Sequence, residues 1–225
     1  PSKSLGSGLI EYLAKERGFD PESVKRKKVG MDGGGDFLKV CLNLDEDKEI
    51  KNSGVNKLII LAIVEDVCEN YHNVNIVMEL LGIKDLPCIH AFDMKLANAF
   101  LGLGTCASTY PCPWCEKPKR EFCNDMLKGG KPRILGEIRR YSKLYQEAVE
   151  KHKGKNKLSS AEWFNCEHEP LVNAPDETEV LSIVAPMELH FLLGIVNLLF
   201  DLLNEAFIQS NYSLRAKNWS DKIGA

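Results

Sequence analysis

The stretch Cys88–Cys115, CIHAFDMKLANAFLGLGTCASTYPCPWC, decides how this chain is read. A short apolar run stops on Asp93, the pattern then turns helical through MKLANAFLGLG, and a Cys-x-x-C closes the unit at Cys112 and Cys115. The change from a run of strand character to helical spacing within a few residues predicts a strand, a helix and a loop in that order. Asp93 stands at the strand's tip.

Outward from that unit, KLIILAIVED is a continuous apolar run bounded by charge, which predicts a third strand at the centre of a sheet. Before it, Phe37 to Leu44 is mixed rather than alternating, as expected of a strand buried on both sides. That segment and KKVGMD flank Gly33 to Gly35, so the pair is expected to form a hairpin with its tight turn at the glycines. Residues 67–82 have helical spacing through Val74, Val77, Met78 and Leu81, with Gly82 as the stop. At the front, residues 7–17 form a short amphipathic helix with Leu9, Ile10 and Leu13 on one side. Three strands, a helix, a strand and a helix match the start of a mixed α/β (α+β) sheet of the ribonuclease H type.

Downstream, residues 134–151 predict a charged helix with an inner stripe of Ile134, Ile138, Tyr141, Leu144 and Tyr145. A long apolar helix follows from about Pro186 to Ile208. Glu188, His190, Asn197 and Asp201 interrupt it within a helical length, so a buried helix fits it better than a membrane span, and no membrane partner is expected. The chain thus divides into residues 1–28 (helix and basic connector), 29–104 (sheet core) and 105–225 (Cys-x-x-C and helices).

With 225 residues, 44% hydrophobic, the chain can bury a substantial core. A formal net charge of -3 neither favours nor excludes nucleic acid, but residues 117–157 hold thirteen Lys and Arg against five Asp and Glu. Such a segment can follow a phosphate backbone, or it can be a solvated lysine-rich helix and loop. Eight cysteines in a chain of this size, with no signal-peptide pattern, point to a reducing compartment rather than to a disulfide scaffold. An opening on Pro1 and a close on KIGA are expected of a partial sequence.

Two aspartates at adjacent strand ends can hold Mg²⁺ or Mn²⁺, which take carboxylate oxygens and keep several waters. Asp32 at the first strand's tip and Asp93 at the fourth's are the candidates; each also reads as a turn aspartate or a helix N-cap. Asp36 reads as the turn partner and His90 as a core histidine. Cys112 and Cys115 supply half of a tetrahedral zinc site, with Cys123, Cys166 and His168 as candidates for the rest. A redox Cys-x-x-C and plain structural cysteines are the rivals. Cys41, Cys68 and Cys88 read as buried apolar residues, and His190 as a core residue of the long helix.

The segment FDMKLANAFLGLGTCASTYPCPWCEKPKR resembles the region around the second active-site aspartate of the V(D)J recombination-activating protein catalytic subunit and of Transib transposases. The DGGGD loop is similar to that family's first catalytic aspartate loop, which maps onto Asp32, and MELHFLLGIVNLLFDLL looks like its histidine-bearing helix, which maps a near-active-site histidine onto His190. The resemblance covers roughly residues 29–210 and implies a ribonuclease H-like fold with a zinc-stapled helical insertion. It implies Asp32 and Asp93 as ligands of a two-metal Mg²⁺ or Mn²⁺ site, and Cys112 and Cys115 as half of a structural Zn²⁺ site. It further implies DNA nicking and strand transfer, a DNA partner, a homodimer, an accessory recombinase subunit and a nuclear location. The family's third acid and its later histidine pair have no match and are expected beyond Ala225, so cleavage by this chain alone is not expected. The alternatives are a non-catalytic zinc-stabilised module that binds DNA or protein, and a thiol oxidoreductase.

Overall fold

A computed structural model describes residues 5–17, 24–34, 37–46, 58–122, 129–152, 154, 158–186 and 188–209. The chain divides into two units, Pro1–Pro186 and Met187–Ala225. The first is a mixed α/β unit built on one five-stranded sheet.

Helix α1 spans Leu5–Arg17, and strands β1 (Val24–Gly34) and β2 (Phe37–Glu46) follow as an antiparallel pair. The pairing runs down to Gly34 opposite Phe37, so the connection consists of residues 35 and 36. Both, Asp36 included, lie outside the described residues. Strand β3 (Ile59–Glu65) pairs antiparallel with β2, helix α2 (Tyr71–Leu81) crosses over, and β4 (Ile89–Phe92) pairs parallel with β1. Helix α3 (Met94–Phe100) follows β4 directly, then α4 (Lys119–Phe122), α5 (Leu135–Lys151), α6 (Val180–Ile183) and β5 (Val184–Pro186), which pairs parallel with β4. The sheet order is β3-β2-β1-β4-β5.

That order corrects one expectation. β3 is an edge strand and β1 is the centre. The continuous apolar run of β3 does not mean burial on both faces, since Ile60 is 67% and Ile63 is 54% exposed. β2 is likewise buried on one face only: Leu38, Val40, Leu42 and Leu44 are inside, while Phe37 and Lys39 are exposed. Its pattern reads as mixed because the outer face also carries apolar Phe37 and Cys41.

The inner face of the sheet is covered by α2 and α3. Val29, Met31, Leu38, Val40 and Leu42 join Val74, Met78, Leu96 and Phe100 in one core, with each large side chain contributing roughly 2 kcal/mol of burial. Helix α2 behaves as its sequence predicts. The Asn70 side chain accepts from Asn73 N at its start, and Gly82 ends it with φ 62°, the left-handed conformation in which glycine carries no penalty. In α5 the stripe holds in part: Ile138 and Tyr145 are buried, Ile134 and Tyr141 are half-buried, and Leu144 is 43% exposed, while Leu135, outside the expected stripe, is buried.

The second unit is dominated by α7, Glu188–Gln209. Burial was expected for it. Its described apolar side chains, Leu192 and those between Ile195 and Leu203, are 38–59% exposed. Among the described residues, no helix is long and apolar enough to cross a membrane.

Candidate functional site

The two aspartates meet through strand register. β1 and β4 are parallel, with Lys28 opposite Ile89, Val29 opposite His90 and Gly30 opposite Ala91. Two further steps at that offset bring Asp32 level with Asp93, both at the C-terminal ends of neighbouring strands. Along β1, Val29 and Met31 are buried, which leaves Asp32 exposed beside Lys39 of β2. Asp93 is half-buried and caps α3: its Oδ1 accepts from Leu96 N at 2.7 Å. The cap reading and the ligand reading are compatible, because the cap uses one carboxylate oxygen and Oδ2 can still meet a cation.

A buried carboxylate that the sequence did not reveal lies at the start of α2. Glu69, just before α2, is only 11% exposed at its side chain and pairs through Oε2 with Lys95 of α3. Its Oε1 is buried with no hydrogen-bond partner. It also occupies the space that a Cβ on residue 33 would fill, on the face of β1 opposite to that of Asp32. Lys95 has its ammonium pKa raised, first by the hydrogen bond it donates to Glu69 and further by the charges of Glu69 and Asp93. Gly33, Phe37, Asp66, Cys68, Glu69 and Lys95 line an adjoining cleft of about 440 Å³.

Carboxylate oxygens at two neighbouring strand ends are donors of the kind that suits a hard divalent cation, which keeps several of its waters. Among the described residues, no three His, Cys, Asp or Glu groups gather into a metal site.

The Cys-x-x-C is a separate structure. Cys115 bridges Pro132, Glu116 N donates to Lys131 O at 2.8 Å, and Arg133 N donates to Trp114 O at 2.9 Å. Gly130 allows the close approach, since a Cβ there would stand 2.9 Å from Cys115 Sγ. Arg133 is 1% exposed, and its guanidinium donates to the carbonyls of Cys112 (3.0 Å) and Phe164 (3.0 Å). Trp114 Nε1 donates to Val184 O at 2.8 Å, which ties the knuckle to β5. Burial, together with the neighbouring Cys115, pushes the Cys112 thiol up to about 11.

The proposed completing ligands do not gather at the knuckle. Cys166 lies 3.8 Å from Arg133 Nη1, and His168 stacks on Tyr71 with ring centroids 4.3 Å apart. Cys123 lies outside the described residues. So does the side chain of His190, whose backbone is in α7. His90 is a core residue as read: it is fully buried against Phe92 and Phe100, with Cys88 Sγ 3.6 Å from its Nε2, and burial lowers its pKa to about 4.

The basic segment is partly structural. Lys117 and Arg133 are buried, Lys131 pairs with Glu116 and Glu137, and Arg139 pairs with Asp176. Lys119, Arg120, Lys131, Arg140, Lys143 and Lys151 are the exposed cations among its described residues, Lys131 being the one already paired with carboxylates.

No protein-family model matches the chain, and a search of curated proteins finds no significant relative.

Proposed function

We propose that this chain carries the first part of the catalytic core of a metal-dependent DNA transposase or recombinase of the ribonuclease H type. The observation that carries the proposal is the β1–β4 register, which sets Asp32 and Asp93 side by side at two parallel strand ends. The strand order β3-β2-β1-β4-β5 and the two antiparallel pairings that lead into a parallel one are those expected of such a sheet. Asp32 and Asp93 would hold Mg²⁺ or Mn²⁺. The bound cations would stabilise the attacking and leaving oxygens of an in-line displacement at a phosphodiester. Lys95, exposed at the lip of the cleft, offers a cation to the DNA backbone. DNA as partner, a nuclear location and an accessory subunit belong to the same reading.

The second reading is a non-catalytic zinc-stabilised DNA- or protein-binding module. The knuckle favours it, because Arg133 and Trp114 organise Cys112 and Cys115 and tie them to β5 independently of the aspartates.

Mn²⁺ titration of the whole chain, followed by the loss of the free-ion paramagnetic resonance signal, separates the two. Asn retains the α3 cap and the β1 turn chemistry, so Asp32→Asn and Asp93→Asn should fold. Each is expected to weaken Mn²⁺ binding about tenfold or more. Wild-type Mn²⁺ affinity in both variants sinks the catalytic reading, and Zn²⁺ retention alongside it leaves the module.

A further inference from the structure

Lys95 stands at the unfavourable end of its helix. It is the second residue of α3, where the helix dipole presents positive charge and disfavours a cation. What holds its ammonium there is Glu69, which lies outside α3 and pairs with it through Oε2. The side chains of the two partners are 63% exposed for Lys95 and 11% for Glu69, so the acid is the anchor and the lysine is the part presented. The anchor is fixed from both sides. Cys68 O accepts from Asn70 N at 3.0 Å and from Asn73 Nδ2 at 2.9 Å, and Asn70 Oδ1 accepts from Asn73 N at 3.0 Å. The backbone before and after Glu69 is thereby tied to the first turn of α2, and its carboxylate packs against Gly33 of β1. Its Oε1 is buried without a hydrogen-bond partner, which costs stability. An apolar residue would fill the same place without burying a charge. Two local preferences are thus broken at one contact, and a fixed ammonium two residues from Asp93 is what the contact achieves.

We propose that Glu69 is a positioning residue, which fixes the Lys95 ammonium at the strand ends so that it meets a backbone phosphate of DNA lying on the Asp32–Asp93 pair. The inference rests on the metal-dependent reading of that pair. An ammonium carries three donors, and one given to Glu69 leaves two for phosphate oxygens. A free lysine side chain loses its rotamer freedom when it binds a phosphate, whereas one already held by Glu69 has lost that freedom on folding. Glu69 acts only through Lys95 and touches neither metal nor DNA.

Binding of a labelled duplex oligonucleotide to the whole chain in Mn²⁺, read by fluorescence anisotropy over a salt series, tests the proposal. Lys95→Gln is expected to lower affinity about fivefold and to make the salt dependence shallower by about one phosphate contact. Charge alone predicts that Glu69→Gln tightens binding, because it takes an acid away from a polyanion. Positioning predicts the opposite, a loss of about threefold or more, with no further loss when Glu69→Gln is added to Lys95→Gln. Lys95→Arg keeps a cation with donors for both partners and should bind within about twofold of wild type. If Glu69→Gln disturbs folding by circular dichroism, Gly33→Ala displaces the same carboxylate without removing its charge and should weaken duplex binding likewise. Undiminished duplex binding in the folded Glu69 or Gly33 variant overturns the positioning role, and so do losses that add in the double variant. A wild type that takes up Mn²⁺ but no duplex overturns it as well. Wild-type Mn²⁺ affinity in Asp32→Asn and Asp93→Asn would instead remove the metal-site reading beneath it.

Discussion

The carboxylate of Glu69 occupies the space where a side chain on Gly33 would begin. Gly33 and Asp32 face opposite sides of β1, so this contact seats the residue before α2 against the sheet rather than at the aspartate pair. Gly33→Ala is expected to push Glu69 aside and loosen its pair with Lys95, whereas Gly34→Ala meets nothing within 4 Å. Because the displaced atoms are the far end of a flexible side chain, stability should change by less than about 1 kcal/mol. Mn²⁺ affinity should be the same in both variants; parallel Mn²⁺ titrations and thermal melts check both statements, and a loss of affinity in Gly33→Ala alone would put Glu69 in the metal site.

His90 gives the fold an acid-sensitive core. Its neutral form is favoured by burial, with a pKa lowered to about 4 against 6.5 in the unfolded chain. Between those values the unfolded chain gains a proton that the folded chain refuses. Stability from this group is therefore complete above pH 6.5 and declines as pH falls toward 4, by up to about 3 kcal/mol. His90→Phe keeps an aromatic ring beside Phe92 and Phe100 and cannot titrate. Urea unfolding across this range should show a smaller acid slope in the variant than in wild type, and equal slopes would deny His90 this role.

The parts of the fold that were legible in the sequence are those with local causes. Asp93 could be placed at a strand end because an apolar run stops there, and Gly82 could be read as a helix stop because only its own backbone conformation matters. The sheet position of β3 was not legible. Ile60 and Ile63 look like core residues until the strand order leaves their face uncovered. Glu69 was missed because its place depends on a missing Cβ in a distant strand. Arg133 counted as one more cation of a basic segment, yet it is buried among carbonyls of residues 112 and 164, and backbone acceptors leave no trace in a residue pattern.

The knuckle thiols are expected to be slow nucleophiles. With Cys112 raised to about 11 by burial and by Cys115, its thiol is protonated at neutral pH, the opposite of the activated thiol of a redox dithiol. Alkylation of Cys112 by iodoacetamide, read by peptide mass spectrometry, should lag behind that of exposed Cys68. Zn²⁺ should slow it further and raise the melting temperature, because binding to the folded form alone stabilises it. Faster modification of Cys112 than of Cys68 would revive the oxidoreductase reading.

Two glycines should respond oppositely to alanine. Gly102 ends α3 with φ 68°, and its carbonyl accepts from the backbone N–H groups of Glu167 and His168, each at 2.8 Å. A Cβ there would collide with the His168 carbonyl, a backbone atom that cannot move without opening this junction. Strain in the left-handed region and the collision together should cost roughly 2–3 kcal/mol. Gly8 lies inside α1 with nothing within 4 Å of its would-be Cβ, so Gly8→Ala should stabilise by about 0.5–1 kcal/mol through helix propensity. Denaturant midpoints of the two variants should therefore move in opposite directions from wild type. A neutral Gly102→Ala would mean that the 165–171 segment does not dock on the end of α3 as the hydrogen bonds place it, since no other arrangement of that junction tolerates a side chain at this φ.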